Sequence, residues 1–141
     1  MNGKKDRIRL VLSEKKIREA LDIVEKDVDS LFEIGLAAWG NENHDMAEKI
    51  FSQVLVYDPD NAGAWFNRGI ALGNLRKYEE AVACYDEAIE RNCCTAQAWY
   101  NKGIALQELE TPAEALACFD RAIEIEPSVK ASLSKHVTGK K

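Results

Sequence analysis

Apolar residues recur along the middle of the chain at the three- and four-residue spacing of an amphipathic helix. Within residues 62–77, the apolar residues Trp65, Ile70, Leu72 and Leu75 include helical separations of three and seven residues, and residues 78–92 behave likewise after a short polar stretch. Two helices of about fourteen residues joined by a short turn form an αα-hairpin. Strand signals are weak, because the chain has only three prolines and no alternating β-branched runs. The pattern therefore predicts an all-α protein.

The hairpin of residues 62–95 is followed by a second copy of itself. Aligned without a gap, residues 62–95 and 96–129 are identical at 17 of 34 positions. A fixed period of this length is typical of stacked copies of one supersecondary unit. The identical pairs include Trp65 and Trp99, Gly69 and Gly103, Ala81 and Ala115, and Cys84 and Cys118.

The order of these residues is W-x3-G-x2-L followed by A-x3-[YF]-x2-A, and it resembles the tetratricopeptide repeat. The resemblance implies a right-handed superhelical solenoid of helix-turn-helix repeats, with a role in binding other proteins. An earlier copy keeps Gly35, Ala47, Phe51 and Pro59 at the equivalent positions, with Leu31 in place of the tryptophan.

The 34-residue period divides the chain into five segments. Residues 1–27 are an N-terminal segment whose helix resembles the second half of a repeat and caps the stack; a helix that docks a partner is the alternative. Residues 28–61, 62–95 and 96–129 are repeats one, two and three. Residues 130–141 are predicted to form a short capping helix and a basic, disordered tail.

Two helix starts carry their own signals. Asn43 is a predicted N-cap for the second helix of repeat one. The sequence Thr111-Pro112-Ala113-Glu114 is a capping box with proline at the first helical position. These residues fix the start of the second helix in two of the repeats.

Two glycines stand in the middle of the first helix of a hairpin, where glycine costs about 1 kcal/mol relative to alanine. Gly69 and Gly103 occupy the same point of the period, so we expect a neighbouring helix to pass too closely for a side chain. The bulky residues wedged between successive hairpins are then predicted to be Trp65, Tyr85, Trp99 and Phe119.

Length and charge narrow the classes of partner. A chain of 141 residues suits one domain, and a formal net charge of −5 argues against nucleic acid. The apolar run that follows the basic N-terminus, Leu10-Val11-Leu12, is too short for a signal peptide, and no stretch approaches the length of a membrane span. We expect a cytoplasmic protein without a membrane or nucleic-acid partner.

The four cysteines do not form a metal-binding pattern. Cys84 and Cys118 are repeat equivalents, whereas Cys93 and Cys94 are adjacent and occupy the turn where the other repeats carry proline. No CxxC motif and no nearby histidine completes a zinc site. The prediction is four reduced thiols without metal or cofactor, with redox or metal chemistry as the alternative.

Catalytic motifs are also missing from the sequence. It contains no glycine-rich phosphate loop, no nucleophile elbow and no HExxH motif. The many carboxylates follow helix surfaces, where such groups are usually solvated. We therefore predict that the protein is not an enzyme and has no catalytic residues.

In tetratricopeptide repeat proteins, the first helix of each hairpin lines a concave groove that holds extended or helical peptides. Partial packing between adjacent hairpins is the alternative role for aromatic residues at these positions. Carried over position by position, the resemblance predicts a peptide-binding groove of Phe32, Leu36, Trp39, Phe66, Asn67, Ile70, Tyr100, Asn101, Ile104 and Gln107.

One binding mode of the family clamps the C-terminal carboxylate of heat-shock chaperones with lysine, arginine and asparagine side chains. At the clamp positions this chain has Phe32, Leu36, Asn67, Gln97 and Asn101, of which only Asn67 matches. Because the clamp cations are missing, we expect an apolar or amphipathic ligand whose binding depends weakly on salt.

These observations predict a non-enzymatic interaction module, an adaptor or scaffold that binds a peptide or helix segment of another protein. The alternative is a structural repeat protein that associates with itself through the ends of the solenoid. Light scattering distinguishes the two, since only the second requires an oligomer that depends on concentration.

Overall fold

The computed structural model describes residues 15, 16, 19 and 27–138. Residues 15, 16 and 19 are helical, and the rest of the predicted N-terminal capping helix lies outside the described residues, as do residues 139–141 of the tail. Residues 27–138 form helices without a strand: α1 (Val28–Gly40), α2 (His44–Tyr57), α3 (Ala62–Asn74), α4 (Tyr78–Glu90), α5 (Thr95–Glu108), α6 (Pro112–Ile125) and α7 (Val129–Thr138).

The helices stack as consecutive hairpins. α1 packs on α2, α3 on α4 and α5 on α6, while α2 contacts α3 and α4 contacts α5 across the boundary between repeats. The first helices, α1, α3 and α5, also contact one another in order, and α7 packs on α6. The prediction of an all-α helical solenoid is confirmed.

The turn inside each repeat has the same backbone geometry. Glu42, Arg76 and Glu110 lie 34 residues apart and have φ values of 61°, 62° and 61°. In the middle turn, the Arg76 N–H donates to Gly73 O at 3.0 Å and the Lys77 N–H donates to Leu72 O at 2.9 Å. This is the Schellman arrangement, in which two orphan carbonyls at the end of a helix are satisfied by the residues that follow it.

Helix starts use different caps. Asn43 Oδ1 accepts from the Met46 N–H at 3.2 Å, as predicted, and Asn61 Oδ1 accepts from the Ala64 N–H at 3.0 Å. At α6 the helix begins at Pro112 as predicted, but the predicted capping box is wrong, because the Thr111 side chain makes no capping hydrogen bond. Thr111 Oγ1 donates instead to Leu106 O at 2.9 Å, a carbonyl that also accepts from the Thr111 N–H at 3.0 Å.

A glycine in each first helix faces an aromatic ring from the second helix of the same repeat. As expected, the neighbouring helix leaves no room for a side chain at these glycines, and a buried ring of that helix occupies the space of the missing Cβ. A Cβ atom would lie 2.8 Å from the ring of Phe51 at Gly35, 2.7 Å from that of Tyr85 at Gly69, and 2.5 Å from that of Phe119 at Gly103.

The tryptophans lie between hairpins, as predicted. Trp65 packs against the buried clusters of both repeat one and repeat two, and its indole N–H donates to Pro59 O at 2.8 Å. Trp99 packs in the last cluster together with Val82 of α4. Tyr85 and Phe119 thus hold each hairpin together, while the indoles join one hairpin to the next.

Candidate peptide-binding groove

Six of the predicted groove residues occupy equivalent places on the three neighbouring first helices. One aromatic residue and one aliphatic residue come from each of α1, α3 and α5, and all six are half-buried. They form two lines across the stack: Phe32, Phe66 and Tyr100, and beside them Leu36, Ile70 and Ile104.

The aromatic line rests on the rings that fill the glycine gaps. Each groove ring meets the ring from the second helix of its own repeat in an edge or tilted geometry, which is the favourable arrangement for aromatic pairs. The aromatic line is therefore partly core and partly surface; its ring pairs lie within each repeat, and Phe32 also lies against Gly63 of repeat two. The centroid distances are 5.5 Å for Phe32–Phe51, 6.1 Å for Phe66–Tyr85 and 5.9 Å for Tyr100–Phe119.

An open cleft of about 260 Å³ lies between α3 and α5. Three predicted residues, Ile70, Asn101 and Ile104, line it, together with Gly73 and Ala105. The side chains at its edge and floor that the sequence analysis did not predict are Asn74, Tyr78, Tyr85 and Glu108.

The missed residues carry a recognisable signal. Asn74 and Glu108 are repeat equivalents and lie one helical turn after Ile70 and Ile104, so the i, i+4 rule places them on the same face. Tyr85, predicted to lie between hairpins, forms the floor of this cleft between repeats two and three. Burial raises the pKa of its hydroxyl group above the ordinary value of 10.0.

A second cleft, of about 280 Å³, lies between α1 and the start of α3. It is lined by the predicted Phe32 and by Asp29, Glu33 and Asn61, which were not predicted. Asp29 and Glu33 are four residues apart and both exposed, so they present two carboxylates on the same face of α1.

Six predicted residues line neither cleft. Leu36 packs against the core of repeat one, and Trp39, near the end of α1, is 43% exposed. One N–H of the Asn67 amide donates to Gly63 O at 2.8 Å one turn earlier, which holds the side chain against its own helix. The remaining three, Phe66, Tyr100 and Gln107, are half-buried, and Gln107 Oε1 has no hydrogen-bond partner among the described residues.

The cations of the first helices are turned towards the preceding repeat. α1 has no lysine or arginine, and α3 and α5 have one each. Arg68 Nε lies 3.0 Å from Glu48 Oε1, and Lys102 Nζ lies 2.6 Å from Asp86 Oδ1. The charged groups that line the two clefts are consequently carboxylates.

The described residues contain no group of three or more histidine, cysteine or acidic side chains that is placed to hold a metal ion. In the same part of the chain, no helix has both the length and the apolar character that a membrane crossing demands.

Comparison with protein families matches this repeated architecture directly. Tetratricopeptide repeat models match residues 28–61, 62–92 and 96–129. The chain belongs to the tetratricopeptide repeat family. This fold is generally a non-enzymatic interaction module, and its presence supports a role as a protein-interaction scaffold. Comparison with curated protein sequences gives no match.

Several solved structures share the fold of this tetratricopeptide repeat chain. A crystal structure of MamA superposes with a TM-score of 0.81 at 19% identity, covering 98% of this chain and 82% of that one. MamA from Desulfovibrio magneticus RS-1, from residue 41 to the end, superposes with a TM-score of 0.70 at 20% identity, covering 87% of this chain and 73% of that one. The tetratricopeptide domain of Arabidopsis OM64 superposes with a TM-score of 0.69 at 25% identity, covering 71% of this chain and 83% of that one. At the identities of the two MamA structures, the likeness concerns the fold alone.

Proposed function

We propose that this protein is an interaction module that binds an amphipathic peptide or helix segment of another protein across α1, α3 and α5. The observation that carries the proposal is the cleft between α3 and α5, where Ile70 and Ile104 leave apolar surface open beside polar groups. Exposed apolar surface rimmed by polar residues is typical of a protein interaction site.

The size of the cleft favours a peptide side chain over a small-molecule ligand. At about 260 Å³ and open to solvent, it is smaller than the roughly 300–1,000 Å³ of pockets that enclose drug-sized molecules. One or two apolar side chains fit it, and the half-buried rings of Phe66 and Tyr100 extend the contact along the helices. This is the helix-in-groove mode of recognition, in which apolar anchors recur every three or four residues.

The charges of the groove favour basic residues on the ligand. Asp29 and Glu33 border one cleft and Glu108 borders the other, while Arg68 and Lys102 are paired in the repeat boundaries. Like charges at an interface are unfavourable and opposite charges steer association. The ligand therefore carries lysine or arginine beside its apolar anchors, and its binding weakens with salt more than the sequence analysis predicted.

Synthetic helical peptides test this proposal. Two fluorescent probes share leucine anchors at i, i+3, i+4 and i+7 and differ only in carrying lysine or glutamate at the other positions. In anisotropy titrations we expect the lysine probe to bind at least about 10-fold more tightly, and Ile104→Ala to weaken it by a similar factor.

A matched charge control separates the groove from the overall field of the protein. Asp29→Asn with Glu33→Gln should weaken the lysine probe, whereas Glu79→Gln with Glu80→Gln on the exposed start of α4 should leave it unchanged. Equal binding of both probes, or equal effects of the two double variants, would contradict the proposed ligand.

Self-association through the end of the stack is the second candidate function. Val82 of α4 packs beside Trp99 of the next repeat, but its equivalent on α6, Leu116, is 60% exposed. The boundary that would hold a fourth repeat is thus covered only in part by α7, through Leu133. Light scattering over a range of concentrations tests this candidate. A concentration-dependent oligomer that Leu116→Lys abolishes supports it, and a monomer at every concentration contradicts it.

A further inference from the structure

The turn between repeats two and three differs from the other turns that end a repeat. Repeats one and three end in a residue before proline, Asp58 or Glu126, with φ values of −138° and −141°. A residue before proline is held in this extended region by the proline ring. Cys93 replaces the proline in repeat two, so the constraint on Asn92 is lifted, and Asn92 has a φ of 58°.

Two left-handed residues then shape this turn. The Asn92 N–H donates to Ile89 O and the Cys93 N–H donates to Ala88 O, both at 3.0 Å, which ends α4 in a Schellman motif. Cys94 follows with φ 50° and ψ 40° and is the N-cap residue of α5. A non-glycine residue in this conformation is uncommon, and asparagine tolerates it better than cysteine does.

This backbone brings two thiols together that a regular element would hold apart. Successive side chains point to opposite faces of a strand, and residues i and i+1 do not face each other on a helix. Here Cys93 Sγ donates to Cys94 Sγ at 3.1 Å. Cys94 is exposed and Cys93 half-buried, so a ligand reaches both sulfur atoms from solvent.

We propose that Cys93 and Cys94 form a vicinal dithiol site that binds trivalent arsenic through both sulfur atoms. The observation that selects this ligand is the distance between the sulfur atoms. With metal–sulfur bonds of about 2.3 Å, a separation of 3.1 Å gives an S–M–S angle of about 85°, whereas a tetrahedral zinc ion would require about 3.8 Å. Trivalent arsenic bonds close to a right angle, because its lone pair takes up the remaining direction.

Two further features favour arsenic over a metal cation. A closed zinc site takes four protein ligands, and the described residues contain no cluster of even three. Burial and the contact with Cys94 raise the pKa of Cys93 from 9.0 to about 11, so its proton is harder to remove than that of an ordinary thiol. A metal ion must displace that proton, since it binds the thiolate, whereas an arsenic oxide removes the proton as water.

The binding reaction balances without an oxidant. An organic arsenic(III) oxide, such as phenylarsine oxide, loses its oxygen and gains two As–S bonds. Both S–H bonds break, and their protons leave with the oxygen as one water molecule. Arsenic stays trivalent and neither sulfur is oxidised.

Intact mass spectrometry of the full-length chain with phenylarsine oxide tests the site. We expect the mass of one phenylarsenic group to be added per molecule, with the loss of two hydrogens. A dithiol reagent should release this group, whereas a monothiol reagent at the same concentration of thiol groups should not. Cys93→Ser and Cys94→Ser should each weaken binding by at least about 100-fold, because each removes the chelate. Cys84→Ser with Cys118→Ser should bind as the unaltered protein does.

A transplanted pair provides the matched geometric control. In the Cys93→Ser, Cys94→Ser background, Glu79→Cys with Glu80→Cys places adjacent cysteines on an exposed turn of the regular helix α4. Because residues i and i+1 do not face each other on a helix, we expect at least about 10-fold weaker binding than at the native turn. Chelate-strength binding by either single serine variant, or equal binding by the transplanted pair, would overturn the proposal.

Discussion

The two boundaries between repeats solve the same problem with different residues. At the first boundary, Arg68 reaches back to Glu48, and both side chains are largely buried, at 26% and 19% exposure. At the second, Lys102 reaches back to Asp86, which is 51% exposed. Glu48 and Asp86 are not repeat equivalents, since Val82 stands at the position of Glu48.

The tryptophans of the two boundaries differ in the same way. Trp65 donates to Pro59 O and has the Arg91 guanidinium 5.7 Å from its ring centroid. Trp99 has Lys102 Nζ 5.1 Å from its ring centroid, and within the described residues it makes no bond to Cys93 that matches the bond to Pro59. The small residues and rings inside each hairpin are shared by the repeats, whereas the polar groups and the turns between hairpins differ. The period thus specifies packing within a hairpin more tightly than chemistry between hairpins.

The largest expected effect tests the contact between a glycine and a ring that the repeats share. Gly69→Ala and Gly103→Ala each place a Cβ within 2.7 Å of a buried ring, so we expect each to lower the free energy of unfolding by about 3 kcal/mol. Gly73→Ala, one turn after Gly69, meets only Tyr85 Oη at 3.7 Å and should stabilise the helix by up to about 1 kcal/mol. Urea denaturation measures all three, and equal effects at Gly69 and Gly73 would contradict the ring contact.

The next effect uses a cysteine at the first boundary as a probe of burial. Burial raises the pKa of Cys84 from 9.0 to about 11. The folded state binds this proton up to a higher pH than the unfolded state does. The contribution of the proton to the free energy of unfolding is therefore fully present below pH 9 and is lost as the pH rises to about 11. At pH 10.5 the loss should be about 2 kcal/mol. Urea denaturation between pH 7.5 and 10.5 should show a smaller decline for Cys84→Ala, and an identical pH profile would refute the assignment.

A smaller effect should distinguish the two ion pairs. We expect Arg68→Met to cost about 1–2 kcal/mol, because it leaves the largely buried Glu48 with a hydrogen bond from Ser52 but without its cation, and Lys102→Met to cost less than about 1 kcal/mol. Double-mutant cycles with Glu48→Gln and Asp86→Asn measure the two coupling energies. Equal coupling energies for the two pairs would show that the greater exposure of Asp86 does not weaken its ion pair relative to that of Glu48.

The smallest effect concerns the turns. Cys94→Gly removes the steric cost of a φ of 50° and should raise stability by about 1 kcal/mol. The equivalent Asp60→Gly should give no gain, since Asp60 does not have a positive φ. Thermal denaturation of the two variants compares them, and a gain at Asp60 as large as that at Cys94 would argue against strain in the second turn.

The sequence predicts the fold well, because Trp65, Gly69 and their equivalents recur at one fixed period. It predicts the candidate groove less completely. Ile70, Asn101 and Ile104 line the cleft, but the bond from Asn67 to its own helix depends on a rotamer that no residue pattern specifies. Glu108 and Asp29 were missed because position-by-position transfer considers only the places that the family uses.

The sequence predicts where the turn at Cys93 lies, but it does not predict the backbone conformation of that turn. Loss of proline permits a left-handed Asn92 without requiring it, so the approach of the two sulfur atoms becomes visible only with coordinates. In the same way, the alignment shows a glycine and an aromatic residue in every repeat but does not show that they touch.

That contact has a consequence for how the protein can change over evolutionary time. Gly35, Gly69 and Gly103 each face a ring sixteen positions later in the chain. A larger residue at the glycine is excluded while the ring remains, and loss of the ring leaves a void beside a flexible glycine. Each glycine and its ring should therefore be inherited as a pair, so that among descendants of this sequence a bulkier first member accompanies a smaller second one.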